Sequence, residues 1–293
     1  MIKTASNGLP LVSIITPSYQ QAAYLRVCID SVLGQNYPEI EYRVHDGGST
    51  DGSIEILKSY GSRVTWISTR DRGQADAINA GLCQTKGEIV CFLNSDDWLA
   101  PGAVSAAVSA LQNNPECDVV YGRLTMTDAT GAPVREFPTQ TFDSEIFIEH
   151  CFIGQPAAFW RRSLHDRFGC FSTEFDHALD YEFWIRIMCG RVRFCYMDQH
   201  IAFAREHRDA KSQRLRGEIF KQIIKLQLRH LGYCGRNWWE QYLRYLRDEK
   251  KGLWGCLPGS AGTRLYRLAW WPYVIFRSRL GGPLFYRSGH WRA

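Results

Sequence analysis

Short apolar strands alternate with amphipathic helices through the first hundred residues, and a basic, aromatic stretch closes the chain. Together these predict an α/β protein: a doubly wound, mostly parallel sheet with a C-terminal helical, basic-aromatic extension. A third observation marks the working edge of that sheet. The apolar run Glu88-Ile89-Val90-Cys91-Phe92 leads directly into Leu93-Asn94-Ser95-Asp96-Asp97. A buried strand ending in adjacent carboxylates puts negative charge at the carboxyl end of the sheet, where open α/β sheets bind ligands. Neighbouring carboxylates repel, and a hard divalent cation carrying phosphate oxygens is the leading way to compensate them. The alternative is an acidic turn capping the helix that Pro101 opens.

The elements follow in order. Leu11 to Thr16 reads as a buried strand closed by Pro17. Ala22 to Leu33 has helical spacing, with Leu25, Cys28, Ile29, Val32 and Leu33 on one face. Glu41 to His45 is a second strand, running into Asp46-Gly47-Gly48-Ser49-Thr50-Asp51-Gly52. Ile54 to Tyr60 is helical, with Thr50 or Asp51 as its cap. Val64 to Ser68 is a third strand and Gln74 to Gln84 a third helix. After Pro101 come a helix over Ala103 to Leu111 and a hairpin around Gly131, from Val119 to Met126 and Val134 to Phe137. Ala157 to Trp160 is a short strand. Leu179 to Met188 is helical, with Trp184, Ile187 and Met188 inward. Val192 to Tyr196 and Ile201 to Ala204 read as two strands, and Arg214 to Leu246 as a helical pattern. We expect a main domain over 1–210 and the extension over 211–293. There is no internal repeat, no G-x-G-x-x-G and no G-K-[ST] phosphate loop.

A chain of 293 residues with 45% hydrophobic and 22% charged residues can bury a sizeable core. Its 10 cysteines include no C-x-x-C pair and no zinc-type spacing. Cys28 and Cys91 sit in apolar runs and act as small hydrophobes. These features predict a reducing, cytoplasmic setting without disulfides. Met1 to Pro10 has no apolar signal core, and no run reaches the ~18–20 apolar residues of a spanning helix. The net charge of +5 hides an asymmetry: Lys251 to the end carries seven Lys/Arg and no acid, leaving −2 for residues 1–250.

Several constellations carry chemistry. Asp46, in a Gly-rich turn, can accept from a base imide or a ribose hydroxyl, or can simply hold a tight strand-to-helix turn. Asp71-Arg72-Gly73-Gln74 precedes a helix carrying Asp76 and Asn79; its amino end suits an anion, or is a solvated helix start. Asp180 stands at a helix start, where it is either a cap or a general base. Arg205-Glu206-His207-Arg208 offers an imidazole for a metal and cations for phosphates, against a structural histidine.

Taken in order, these blocks resemble the family 2 glycosyltransferases, inverting, nucleotide-sugar-dependent enzymes with the GT-A fold. The resemblance covers roughly residues 10–210. It rests on Val12-Ser13-Ile14-Ile15-Thr16-Pro17-Ser18-Tyr19, Ser31-Val32-Leu33-Gly34-Gln35 and Asp46-Gly47-Gly48-Ser49-Thr50-Asp51-Gly52-Ser53. It continues through Asp71 to Asn79, Lys86-Gly87-Glu88-Ile89, Asn94-Ser95-Asp96-Asp97, Leu179-Asp180-Tyr181-Glu182 and Arg205-Glu206-His207. The resemblance implies that Pro17 and Tyr19 flank the nucleotide base and that Asp46 binds it. It places Asp71, Asn79, Asn94, Ser95 and Asp96 on the donor, with Asp96 and His207 holding Mg²⁺ or Mn²⁺ against the diphosphate. Asp180 is then the catalytic base, with Gln155, Glu182 and Trp184 near the acceptor. Three departures stand out: Asn94 replaces the first acid of the usual Asp-x-Asp, which makes Asp97 a substitute candidate; Ile78 stands where many members carry Arg; and Leu179 replaces an acid before the base.

The implied reaction moves a sugar from a nucleotide-sugar, a UDP-sugar first, to a glycan or lipid-linked acceptor in bacterial envelope polysaccharide or glycoconjugate synthesis. The tail supports the second acceptor type. Leu265 to Phe276 is apolar and aromatic, bracketed by arginines, and suits an anionic membrane surface through residues 251–293, at the inner face of the cell membrane. A helix packed on the domain is the alternative. Charge alone admits nucleic acid, but no recognition motif supports it. A nucleotidyltransferase would need Lys/Arg on the first loop, and Thr16 to Gln21 has none. A silent scaffold retaining the fold is the rival from another class.

Overall fold

The computed structural model describes residues 8–207 and 214–249. The first strand, β1 (Val12–Ser18), is buried along all seven residues, as a strand covered on both faces must be. It continues past Pro17. That proline pairs with His45 on one side, while pairing to the other neighbour stops at Ile15↔Phe92. Its missing N–H therefore falls beyond the end of that ladder and costs no bond. Helix α1 (Ala22–Leu33) lays Leu25, Cys28, Ile29 and Val32 on the sheet. Then follow β2 (Ile40–Asp46), α2 (Ser53–Ser59), β3 (Thr65–Ser68), α3 (Gln74–Cys83) and β4 (Ile89–Phe92). Helix α2 has Gly52 at its cap position without a side-chain cap; Asp51 instead accepts from Ser53 and from the Ala22 amide.

The second half builds β5 (Trp98–Leu99), α4 (Ala103–Asn113), β6 (Val119–Thr127), β7 (Pro133–Glu136), α5 (Ser144–Glu149), β8 (Ala158–Arg161), α6 (Ser163–Phe168), α7 (Leu179–Cys189) and β9 (Phe194–Arg205). Strand β9 is one continuous element where the residue pattern reads as two. Its polar middle, Asp198 to His200, is accommodated by register shifts against β6 around Tyr121 to Leu124. The nine strands of the described residues form one sheet in the order β3-β2-β1-β4-β8-β6-β9-β5, with β7 on β6. The β1 to β4 portion is wholly parallel, and β6 pairs parallel to β9. The β8, β5 and β7 pairings are antiparallel.

Two apolar layers cover the sheet. One joins α1, α2 and α4 to Ile14, Val44, Cys91 and Val120. The other is aromatic and gathers Phe147, Phe152, Trp160, Phe171, Phe183 and Trp184. Cys117 and Cys195 are disulfide-bonded, with Cα atoms 6.2 Å apart. This corrects the expectation of no disulfide. The two residues are 78 apart in sequence, and only the β6–β9 pairing, with Val120 opposite Cys195, brings them together.

The C-terminal helical pattern is two helices, α8 (Arg216–Leu231) and α9 (Arg236–Asp248). Gly232, in the left-handed region at φ 77°, ends the first, as a residue without Cβ can. Ile223 and Leu226 of α8 are buried in the aromatic layer. Among the described residues no helix is long and apolar enough to cross a membrane. The basic-aromatic segment 251–293 and Arg208 lie outside the described residues.

Candidate active site

The chain runs β1 to β2 to β3 in one direction, and α3 then returns it to β4 on the other side of β1. A crevice outside the carboxyl ends of β1 and β4 follows from that reversal. A cleft of about 500 Å³ occupies this place. Pro17, Ser18 and Tyr19 line it from the end of β1, Asn94 to Asp97 from the end of β4, and Gly73 and Gln74 from the start of α3. Gln155, His177, Asp180 and Arg205 close its far side.

The loop after β4 separates its polar residues by role. Asn94 Oδ1 accepts from Gln74 Nε2 at 2.6 Å, and its Nδ2 donates to Asp97 Oδ2 at 3.3 Å and Gln155 Oε1 at 3.4 Å. An amide can give and take at once, which a carboxylate cannot. Asn94 thus ties the two helix-bearing loops to the acid turn. Asp97 is 6% exposed and accepts the Arg205 amide at 3.0 Å. Burial, with the charge of Asp96 behind it, pushes its carboxyl well above the usual range. Asp96 is the more accessible of the two, and its Oδ2 lies 3.0 Å from His207 Nε2. Arg205 donates Nε to the Asp96 carbonyl at 3.2 Å and Nη1 to that of Ala129 at 2.7 Å. Its guanidinium sits over the rings of Tyr24 and Trp98, 4.6 and 4.8 Å from their centroids.

On the β1 side, Tyr19 is 60% exposed and borders the cleft. A Cβ on Gly47 would come within 2.9 Å of Asp71 Oδ2 and 3.2 Å of Tyr19, so the turn packs tightly behind that ring. Asp46 is buried and does not line the cleft. Its oxygens accept from the Gly48 and Ser49 amides and from the Ser49 and Ser68 hydroxyls. Four donors use a carboxylate's capacity, so in this state Asp46 holds its own turn. Asp71 accepts the Gly73 amide at 3.0 Å. Burial raises its carboxyl above the ordinary range; the Gly73 amide opposes this, and Asp76, Asp176 and Asp46 add to it. Asn79 faces away from the cleft. Both its side-chain atoms are spent on the Phe171 backbone, at 2.8 and 3.0 Å, which stitches α3 to the segment before α7.

The α7 side carries Asp180, whose carboxyl is pushed up by burial and pulled down by the amides at the helix start. Gln155 lines the cleft and donates Nε2 to the Phe92 carbonyl at 2.5 Å. Glu182 and Trp184 are not there. Glu182 points into the protein, where Arg186 donates to it at 2.9 and 3.0 Å and His230 Nε2 lies at 2.8 Å. Trp184 is fully buried and meets Trp160 edge-on at 5.3 Å. Helical periodicity turns Glu182, two residues on from Asp180, to another face. Trp184, one helical turn on, lies deeper in the protein, within the aromatic layer. Residue patterns gave no signal for Asp176, which accepts the Ala75 amide at 3.0 Å and so caps α3 across 101 residues of sequence.

The sequence pattern that defines glycosyl transferase family 2 matches residues 13–173, more than half of the chain. The chain belongs to that family. An uncharacterized glycosyltransferase of Rickettsia typhi is 29% identical over 211 residues, 69% of this chain and 66% of that protein. The chain thus spans about two thirds or less of the length of the first curated relatives it matches. Solved structures share the GT-A fold. S. aureus TarS 1–349 in complex with UDP-GlcNAc has a TM-score of 0.59 at 21% identity, covering 81% of this chain and 72% of that one. Mannosyltransferase PcManGT from Pyrobaculum calidifontis, in complex with GDP-Man and Mn²⁺, has 0.59 at 22%, covering 75% and 65%.

Within this family 2 glycosyltransferase, the donor set for a cation is small. Among the described residues no three His, Cys, Asp or Glu side chains gather as a cage. Asp96 and His207 supply two adjoining donors, and Asp71, Asp176, Asp180 and Glu206 make the lining acidic. That set fits Mg²⁺ or Mn²⁺, which bind through one or two protein groups and take substrate phosphates for the rest.

Proposed function

We propose that this chain is an inverting glycosyltransferase that moves a sugar from a nucleotide donor, a UDP-sugar first, to a glycan or lipid-linked acceptor. The observation that carries the reading is the placement of Asp96 and Asp180 on one cleft at the switch point of the sheet. The likeness to a fold captured with UDP-GlcNAc and with GDP-Man and Mn²⁺ supports it. Envelope polysaccharide or glycoconjugate synthesis is the setting such an acceptor implies, with residues 251–293 meeting the anionic membrane surface.

The roles follow from the lining. Tyr19 offers a ring face to the base, beside Pro17. Asp96 and His207 would hold the divalent cation; when bound, that ion offsets charge on the departing diphosphate. Asp180 takes the proton of the acceptor hydroxyl, whose oxygen attacks the anomeric carbon from the face opposite the leaving group. The new C–O bond forms as the bond to the diphosphate oxygen breaks, and the centre inverts in one displacement. A carboxyl raised by burial is, in its ionised form, a stronger base than an exposed aspartate, which suits this task. Gln155, fixed by the Phe92 carbonyl, helps to shape the acceptor side.

The test is a donor screen by thermal shift and turnover, with and without Mn²⁺. Ligand binding to the native state raises the melting temperature by mass action. If no nucleotide-sugar binds or is consumed, and Asp180→Asn changes nothing, the reading is wrong.

A further inference from the structure

Seven buried side-chain polar atoms have no hydrogen-bond partner among the described residues, and only two belong to residues that line the cleft: Ser18 Oγ and His177 Nδ1. Folded proteins satisfy nearly all such atoms, so an orphan at a cleft marks where a ligand completes the bonding. Ser18 ends β1, on the nucleotide side. His177 stands opposite. Its backbone N–H is fixed by Gln222 Oε1 of α8 at 3.0 Å. Its neighbour Asp176 caps α3 next to Gly73, where an added Cβ would meet Asp176 Oδ1 at 2.9 Å. Asp180 follows three residues later. His177 is therefore held between the donor-side loop at Asp71–Gly73 and the base. Asp176 Oδ2 is 3.8 Å from Nδ1, beyond hydrogen-bond reach.

Resting on the glycosyltransferase reading, we propose that His177 recognises the donor sugar: its imidazole hydrogen-bonds a hydroxyl of the hexose held beside Asp180. A sugar hydroxyl both gives and accepts, so it satisfies either tautomer of a neutral ring. A nucleotide role does not fit, because the ring-bearing and cation-holding groups, Tyr19 and Asp96, lie on the β1 and β4 loops. A polar group built to meet a hydroxyl also discriminates, since a donor lacking that hydroxyl leaves the group unpaired.

The experiment compares matched ligands on the full chain: UDP with UDP-GlcNAc and UDP-glucose, and GDP with GDP-mannose, each with Mn²⁺. Binding is read by calorimetry, and donor hydrolysis gives kcat/KM. His177→Phe keeps the ring's bulk without its nitrogens, and His177→Asn keeps a polar atom near Nδ1. The expected result is that His177→Phe binds the free nucleotide as wild type does but its nucleotide-sugar about tenfold more weakly, the cost of one lost hydrogen bond. His177→Asn recovers most of that loss. Melting temperatures without ligand confirm that both variants fold. Unchanged nucleotide-sugar binding in His177→Phe overturns the proposal, as does an equal loss for nucleotide and nucleotide-sugar. If wild type binds none of the five ligands, the glycosyltransferase reading fails and takes the proposal with it. Binding by wild type and no change in His177→Phe sinks the proposal alone.

Discussion

His207 Nε2 lies 3.0 Å from Asp96 Oδ2, across 111 residues of sequence. The pair is braced on the protein side. Tyr24 packs on the His207 ring at 4.9 Å, and the Arg205 guanidinium sits over the same tyrosine ring. His207 is 8% exposed and adjoins the Asp96 carboxylate, which borders the cleft. The expected consequence is a graded pair of variants. Asp96→Asn removes the charge that a cation needs and abolishes metal-stimulated donor turnover. His207→Ala raises the Mn²⁺ concentration for half-maximal turnover by roughly 10–100-fold, as loss of one of the groups at a metal site does. A Mn²⁺ titration that is unaltered in both would remove this pair from the cation site.

Asp180 gives a separate signature in pH. Burial raises its carboxyl above the ordinary aspartate range. A base must be ionised to work, so kcat/KM is expected to level off above that raised value and to fall as pH drops through it. The acid limb should therefore lie above the range of an exposed aspartate. Asp180→Asn should cost roughly 10²–10⁴ in kcat, the usual worth of a positioned base, with nucleotide binding intact. Loss of nucleotide binding along with kcat would point to a structural role instead.

The parallel half of the fold was legible because each element there is a local pattern. Strands are short apolar runs, helices are amphipathic, and loops are rich in Gly and Asp. The acid pair was legible for the same reason, since a strand followed by Asp96-Asp97 is contiguous. What separates the two acids is not local. Asp97 is buried by the Arg205 amide from a strand more than 100 residues away, and Asn94 serves as a bridge only because Gln74 and Gln155 converge on it. Asn79, Glu182 and Trp184 misled for a related reason. Their positions beside cleft residues in sequence are real, but Glu182 turns to another face of its helix, Trp184 lies one turn deeper in the aromatic layer, and the Phe171 backbone takes Asn79. The C-terminal helices read as one run because Gly232 is a single break inside a long apolar periodicity.

Glu182 makes that point testable. Burial raises its carboxyl, but His230 and Arg186 outweigh this, and it titrates below the usual glutamate range. Its ionised form therefore stabilises the fold. That contribution is complete above the unfolded-state value and is lost as pH falls through the lowered folded-state value. Glu182→Ala leaves two half-buried partners, Arg186 and His230, without their acid and should destabilise by about 3 kcal/mol. Trp184→Ala should cost a similar ~3–5 kcal/mol through the cavity it leaves. Urea unfolding at neutral pH measures both. At temperatures where the variants remain folded, KM for the acceptor should match wild type; a large rise would return these residues to the acceptor site.

The last prediction concerns residues 251–293. Seven cationic side chains and no acid, with Trp254, Trp270, Trp271 and Trp291 among them, suit the headgroup region of an anionic bilayer. Rings settle at the interface, and each basic residue near the surface adds roughly 1 kcal/mol of attraction. Vesicles containing phosphatidylglycerol should therefore bring down the full chain, whereas neutral phosphatidylcholine vesicles should do so weakly. A chain ending at residue 250 should stay in solution with both and retain donor binding, because the lining of the cleft is intact. Raising the salt to 1 M shortens the screening length to about 3 Å and should remove the electrostatic share of binding while leaving the aromatic share. Equal sedimentation of full and shortened chains would place the membrane contact elsewhere or deny it.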